Sequence, residues 1–198
     1  RMNASKARVI CPIFEESAYP YHGFGFKVGD PVAITYKFYI IEQLSIVVDA
    51  GSASSGLYNK PHRENFSVYS GEVVAPADYP ATNDFSPIYT QHKVNGEYIL
   101  EGKVLYQMQS ESLYKGLQSY VGLGWQYRAL NIEYDFYYEY PNSNVRERGN
   151  FTRDRISQGP EIVAGLENSY LRINVSAVVE ITAFSDIANQ DSLYSIQG

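Results

Sequence analysis

The sequence holds one cysteine, Cys11, and three histidines in 198 residues. A single thiol excludes an internal disulfide, and without a second Cys or a His-rich cluster no zinc framework can be assembled. Long apolar runs are missing as well, the longest unbroken stretch being the four residues Phe38 to Ile41. A helix that crosses a bilayer needs about 20 predominantly apolar residues in succession, so none is encoded. Positive charge is scarce, with 16 Lys and Arg against 22 Asp and Glu and a net charge of -6. No basic run concentrates what there is, which argues against a nucleic-acid partner. Arg1 to Ala18 lacks the apolar h-region of a signal peptide, and with the charged Arg8 so near Cys11 no lipid attachment is expected there.

Aromatic rings are abundant instead. Nineteen Tyr, nine Phe and one Trp make up 15% of the chain against 19% charged residues, a composition that folds rather than stays disordered. The length accommodates one domain, or a domain with a terminal extension, and not two full cores.

The strongest pattern is a period of two. Leu171, Ile173, Val175, Ala177, Val179 and Ile181 alternate with Arg172, Asn174, Ser176, Val178, Glu180 and Thr182. Val32, Ile34, Tyr36, Phe38 and Ile40 alternate with Ala33, Thr35, Lys37 and Tyr39, and Leu44, Ile46, Val48 and Ala50 with Ser45, Asp49 and Gly51. The same holds for Tyr98, Leu100, Val104, Tyr106 and Met108 against Glu101, Lys103 and Gln107, and for Val121, Leu123, Trp125 and Tyr127 against Gly122, Gly124, Gln126 and Arg128. Alternation of this kind marks two-faced strands. Strands are expected near 19 to 28, 31 to 41, 44 to 54, 96 to 108, 116 to 140, 156 to 167 and 170 to 184, with no helix, so the fold class is all-β. Gly29-Asp30, Glu42-Gln43 and Glu167-Asn168-Ser169 read as turns. Within 116 to 140 the apolar phase shifts from odd to even positions near Ala129; a β-bulge in one long strand and a hairpin turn both explain it, and the bulge is favoured because a hairpin would put a long loop on each rim.

Two long connections remain, an aromatic-bearing one near 55 to 95 and a polar one near 141 to 155. Counting strand directions places both on one rim and the short turns on the other, the asymmetry of an outer-membrane barrel. Three features favour an apolar face turned to lipid over one turned to a soluble core. The polar face carries Gly23, Gly25, Gly51, Gly122, Gly124, Gly165, Ser45 and Ser176, small residues that a narrow barrel interior needs. Strands of about eleven residues match a tilted crossing of the hydrocarbon layer. Tyr19, Tyr21, Tyr98, Tyr106, Tyr127 and Tyr170 recur toward strand ends, where interfacial girdles lie.

The polar face then lines a lumen, and its charges balance: Lys27, Lys37, Lys103, Arg128 and Arg172 against Asp49, Glu101, Glu161, Glu167 and Glu180. An eight-stranded barrel has room only for its own side chains, and buried charges persist there when paired. A salt-bridged plug is therefore expected, built from Lys37, Asp49, Glu101, Lys103, Arg128, Arg172 and Glu180, with Lys27, Glu161 and Glu167 at a solvated rim.

The stretch from Gly23 to Ile46, with its glycine-spaced first strand, short turn and Ala33-Ile-Thr-Tyr-Lys37 second strand, resembles the opening hairpin of small eight-stranded outer-membrane barrels of the OmpA/OmpX-like group in Bacteroidota-type bacteria. Gly159 to Glu167, followed by the strand at Leu171, is similar to their sixth and seventh strands. The resemblance spans most of 19 to 184. It implies an up-and-down transmembrane barrel in the bacterial outer membrane and no catalytic residues. Residues 1 to 18 stand outside that pattern as an N-terminal extension to the barrel of 19 to 198, and the eighth strand is expected to begin at 192 to 198, without the terminal aromatic such barrels carry.

Catalytic chemistry has little footing. His22, His62 and His92 show no distinctive spacing to a serine, so no catalytic, cofactor or metal residues are assigned. The functional expectation is a closed outer-membrane barrel with a structural or interaction role through its surface loops, in contact with outer-membrane lipid and lipopolysaccharide, or with other outer-membrane or periplasmic proteins as an accessory subunit. Arg146, Arg148, Arg153 and Arg155 are the residues expected to meet lipopolysaccharide phosphates or an acidic partner. A membrane-embedded lipid A or phospholipid-modifying enzyme and a soluble ligand-binding barrel are the alternatives.

Overall fold

The computed structural model describes residues 19–52, 59–77, 79–80, 85–109, 117–140, 146–170, 175–188 and 194–197. The expected extension at 1 to 18 and Arg172 lie outside these described residues. The chain forms β1 (Tyr21–Lys27), β2 (Val32–Ile41), β3 (Leu44–Ser52), a helix α1 (Asn59–Tyr69) closed by a 3-10 turn (Ser70–Glu72), β4 (Ile88–Gln109), β5 (Leu117–Glu139), β6 (Arg146–Tyr170), β7 (Val175–Ser185) and β8 (Tyr194–Gln197). All eight strands belong to one antiparallel up-and-down sheet in sequence order. Among the described residues no ladder joins β8 to β1.

The short hairpins follow the sequence. Gly29, in the turn between β1 and β2, has a φ of 145°, a conformation that only glycine adopts without strain. The alternation sets the registers: Lys37 opposes Val47 and Thr35 opposes Asp49, so each row of like-facing residues continues from β2 into β3.

Five expectations change. The segment between β3 and β4 contains α1 where no helix was foreseen, and β4 starts at Ile88 rather than near 96. The polar stretch near 141 to 155 is not a loop from Arg146 onward, because those residues open β6. Glu167 to Ser169, read as a turn, remain in β6 and pair with β7. The shift near Ala129 is not a change of face: even positions of β5 point inward from Tyr120 through Gln126 and Leu130 to Tyr138. What changes there is the chemistry of the inward face, polar or glycine before it and apolar after it.

The chain divides into two compact units, with β4, β5 and β6 contributing residues to both. Unit 1 comprises Arg1–Ser52, Ile99–Tyr127 and Ser157–Gly198, and unit 2 comprises Ala53–Tyr98 and Arg128–Ile156. In unit 1 the exposed face is apolar, with Phe26 at 86%, Leu123 at 66%, Ile162 at 62% and Val179 at 70% exposure, while Asp49, Glu101, Lys103, Gln126, Glu161 and Glu167 are buried. Its small apolar cluster, Val47, Leu105, Tyr120 and Val163, shares the interior with these charges. Unit 2 has the ordinary polarity. Phe66, Leu130, Ile132, Tyr134, Phe136 and Tyr138 are buried together, with Tyr69, Tyr79, Phe85, Tyr89 and Phe151 packed on them. Its outward side carries polar pairs such as Gln91 with Asp135 at 2.7 Å and Asn95 with Glu133 at 3.0 Å.

Helix α1 forms to cover that apolar face. His62, Phe66 and Tyr69 recur at spacings of four and three, which places them on one side of the helix. Phe66 lies 5.4 Å from the Tyr89 ring and 5.8 Å from that of Tyr134, and Pro61 sits in the first turn, where a missing N–H breaks no helical bond.

Candidate functional site

The chemistry of unit 1 is concentrated in its interior. Lys103 on β4 is buried, and its Nζ lies 2.7 Å from Asp49 Oδ2, 2.7 Å from Glu101 Oε2 and 2.7 Å from Glu180 Oε1. An ammonium has three N–H donors, and here each has a carboxylate to meet. Lys27 on β1 approaches the same acids, 2.9 Å from Glu180 and 3.2 Å from Glu101. Tyr120 on β5 donates from its hydroxyl to Glu180 Oε2 at 2.9 Å. Asp49, Glu101 and Glu180 are also close enough together to chelate a cation, but the space between them is filled by the Lys103 ammonium.

A second cluster joins β2, β4 and β6. Lys37 Nζ lies 2.6 Å from Glu167 Oε2, and the Tyr39 hydroxyl donates to Glu167 Oε1 at 2.8 Å. Gln107 donates a 3.3 Å bond to the same carboxylate, and the Lys37 ammonium sits 4.5 Å over the Tyr39 ring. The two clusters together connect β1 through β7.

These contacts have a geometric consequence. In a flat sheet β1 and β7 would stand six spacings apart, about 29 Å at roughly 4.8 Å per strand. Lys27 of β1 and Glu180 of β7 are in hydrogen-bond contact at 2.9 Å, so the sheet curls until its first and seventh strands face one another. The crowding at glycines agrees with that curvature. A Cβ at Gly165 would overlap the Tyr120 ring and one at Gly124 would overlap Glu161 Oε1, whereas outward Gly102 has no atom near that position.

Of the residues expected to form the network, Lys37, Asp49, Glu101, Lys103 and Glu180 are inside it. Arg128 is not: it belongs to unit 2, with its Nε 3.9 Å from Glu97. Lys27, Glu161 and Glu167, placed at a solvated rim by sequence, are interior groups, with Glu161 at 1% and Glu167 at 3% exposure. Tyr39, Gln107 and Tyr120 complete the network and were missed, although each shares the inward parity of a charged residue already identified on its own or a neighbouring strand. Glu161 is the exception to the pairing, since neither carboxylate oxygen has a hydrogen-bond partner among the described residues.

In unit 2 the arginines of β6 are mostly engaged within the unit. Arg146 Nε lies 2.6 Å from Glu139, and its guanidinium stacks 5.2 Å over Tyr137. Arg153 reaches Glu72 at 2.7 Å and stacks over Tyr69 at 5.2 Å, and buried Arg155 donates to the Tyr69 hydroxyl at 3.3 Å. Arg148 is exposed. Burial pushes the Tyr134 phenol up to about 12, with the Tyr69 phenol adding to the shift and Arg155 opposing it. Burial also raises Tyr89 and holds the His92 imidazole below its ordinary value.

No protein-family model, curated protein or solved structure matches the chain.

Proposed function

We propose that the protein is an outer-membrane β-barrel whose interior is sealed by salt bridges, with unit 2 serving a structural or partner-binding role. The observation that carries this reading is the inverted polarity of unit 1, charged inside and apolar outside. In water such a surface would far exceed the apolar patches that soluble monomers expose, whereas a hydrocarbon layer is a matched solvent for it. Strands β1, β2, β3 and β7, of 7, 10, 9 and 11 residues, are near the nine to eleven or so that a tilted transmembrane strand requires.

Closure of the curled sheet into a full barrel belongs to the same proposal. An open edge would leave backbone groups without partners in lipid, at a cost of several kcal/mol each. The contacts of Lys27 with Glu180 support closure, because they bring β1 next to the far end of the sheet. The soluble ligand-binding alternative calls for apolar residues inside, the reverse of the arrangement around Lys103. Partners consistent with the proposal are outer-membrane lipid, lipopolysaccharide, and other envelope proteins at the surface of unit 2, with Arg148 open to contact.

The test is fractionation and electrical recording. The full chain should remain with outer membranes after alkaline extraction, shift its gel mobility on heating, and give no steady open current in planar bilayers. A chain that stays monomeric in buffer without detergent would overturn the membrane reading, and sustained conductance would overturn the sealed interior.

A further inference from the structure

Two imidazoles lie side by side in unit 2. His62 on α1 and His92 on β4 have ring centroids 5.1 Å apart with planes inclined at 58°. Two imidazoles on one tetrahedral metal ion, with metal–nitrogen bonds of about 2.05 Å and each ring centre about 1.1 Å further out, would have centroids about 5.2 Å apart. The observed centroid spacing matches that value.

The helix that carries His62 is anchored and the His92 ring is held. The His62 backbone carbonyl accepts a 3.1 Å hydrogen bond from the Tyr134 hydroxyl, and Phe66, one turn along α1, packs on Tyr89 and Tyr134. His92 Nδ1 shares a 2.8 Å hydrogen bond with the Tyr89 hydroxyl. With Nδ1–H as the donor, that bond leaves the lone pair on Nε2, the arrangement that ligating histidines show when a neighbour fixes their tautomer.

We propose that His62 and His92 form a binding site for a borderline divalent transition metal such as Zn2+, Cu2+ or Ni2+. Imidazole nitrogen selects ions of this group over the hard cations that prefer oxygen. Among the described residues no third His, Cys, Asp or Glu joins the pair, so water or a bound anion fills the remaining positions. Such a site exchanges its ion readily and has micromolar rather than structural affinity. The exposed guanidinium of Arg63, near Tyr89, also weakens cation binding and favours an anionic co-ligand. This inference does not depend on the membrane proposal, because every group it uses belongs to unit 2.

The experiment uses the full chain in detergent, stripped with a chelator and titrated with Cu2+ and Zn2+. One equivalent should bind, quenching tyrosine emission, and the Cu2+ resonance should show coupling to two imidazole nitrogens. His92→Gln, which retains a polar group for Tyr89, and His62→Gln should each weaken binding at least tenfold with unchanged circular dichroism, while His22→Gln on the outer face of unit 1 should not. Equal affinity in wild type and in a folded His92→Gln variant would overturn the proposal, as would a signal lost with His22. If His62→Gln fails to fold, the His92 variant and the nitrogen coupling of the wild type still decide the matter.

Discussion

The Lys27 ammonium on β1 lies 2.9 Å from the Glu180 carboxylate on β7. Nothing local brings these residues together. They meet because the sheet curls, and Lys103 lies beneath both, 2.7 Å from the same Glu180 oxygen. Two ammoniums on one carboxylate oxygen are tolerable only because Asp49 and Glu101 stand on their other sides.

Removing the central cation should therefore be severe. Lys103→Met keeps most of the volume but leaves the buried carboxylates of Asp49 and Glu101 and the half-buried one of Glu180 with Lys27 alone. A loss of about 3 to 5 kcal/mol is expected, the usual consequence of stripping a partner from a buried ion cluster. Urea unfolding followed by gel mobility measures it, and a loss below 1 kcal/mol would show that the cluster is not dry.

Glu161 should behave in the opposite way. The residue is 1% exposed and neither carboxylate oxygen has a hydrogen-bond partner among the described residues. Glu161→Gln keeps the shape and removes the charge, so a gain of about 1 to 3 kcal/mol is expected. A destabilised variant in the same unfolding assay would mean that the negative charge is needed against Lys27 and Lys103.

The outward face gives a direct measure of its solvent. Leu123 is 66% exposed at the middle of the apolar row formed with Val121 and Trp125 on β5. Leu123→Arg should cost about 2 to 4 kcal/mol if that row meets hydrocarbon, and almost nothing if it meets water. Refolding equilibria into lipid vesicles distinguish the two values.

Unit 2 should loosen at both ends of the pH range, for different reasons. His92 has a folded-state pKa below its usual 6.5 because burial disfavours the imidazolium. Its contribution is complete above 6.5 and is lost as pH falls below that value through the depressed folded one. Tyr134, raised from 10.0 to about 12 chiefly by burial, contributes fully below 10 and loses that contribution as pH rises toward 12. Near-UV dichroism of the tyrosines reports both limits. His92→Gln should flatten the acidic limb alone, and an unchanged limb would assign the acid sensitivity to other groups.

Much of this fold was legible in the residue order because strand alternation is local. A period of two tells which side chains share a face, so the inward placement of Lys37, Asp49, Glu101, Lys103 and Glu180 followed from parity. The turn at Gly29 and the order of the eight strands followed from turn chemistry and strand length in the same way. Pairing was not legible. That Lys27 joins Glu180 and that Glu167 receives Lys37 depends on how far the sheet curls, which is set by crowding across strands distant in sequence. Neither was α1, because its apolar side is only His62, Phe66 and Tyr69 and has meaning only once Tyr89 and Tyr134 present a surface to cover. The row from Tyr120 to Tyr138 shows the division most plainly. Alternation placed its members up to Gln126 on the inward face, but the apolar shift near Ala129 read as a bulge, and only the tertiary structure, by setting Phe66, Phe85 and Phe151 against Leu130 to Tyr138, shows that this half of the row faces inward as well.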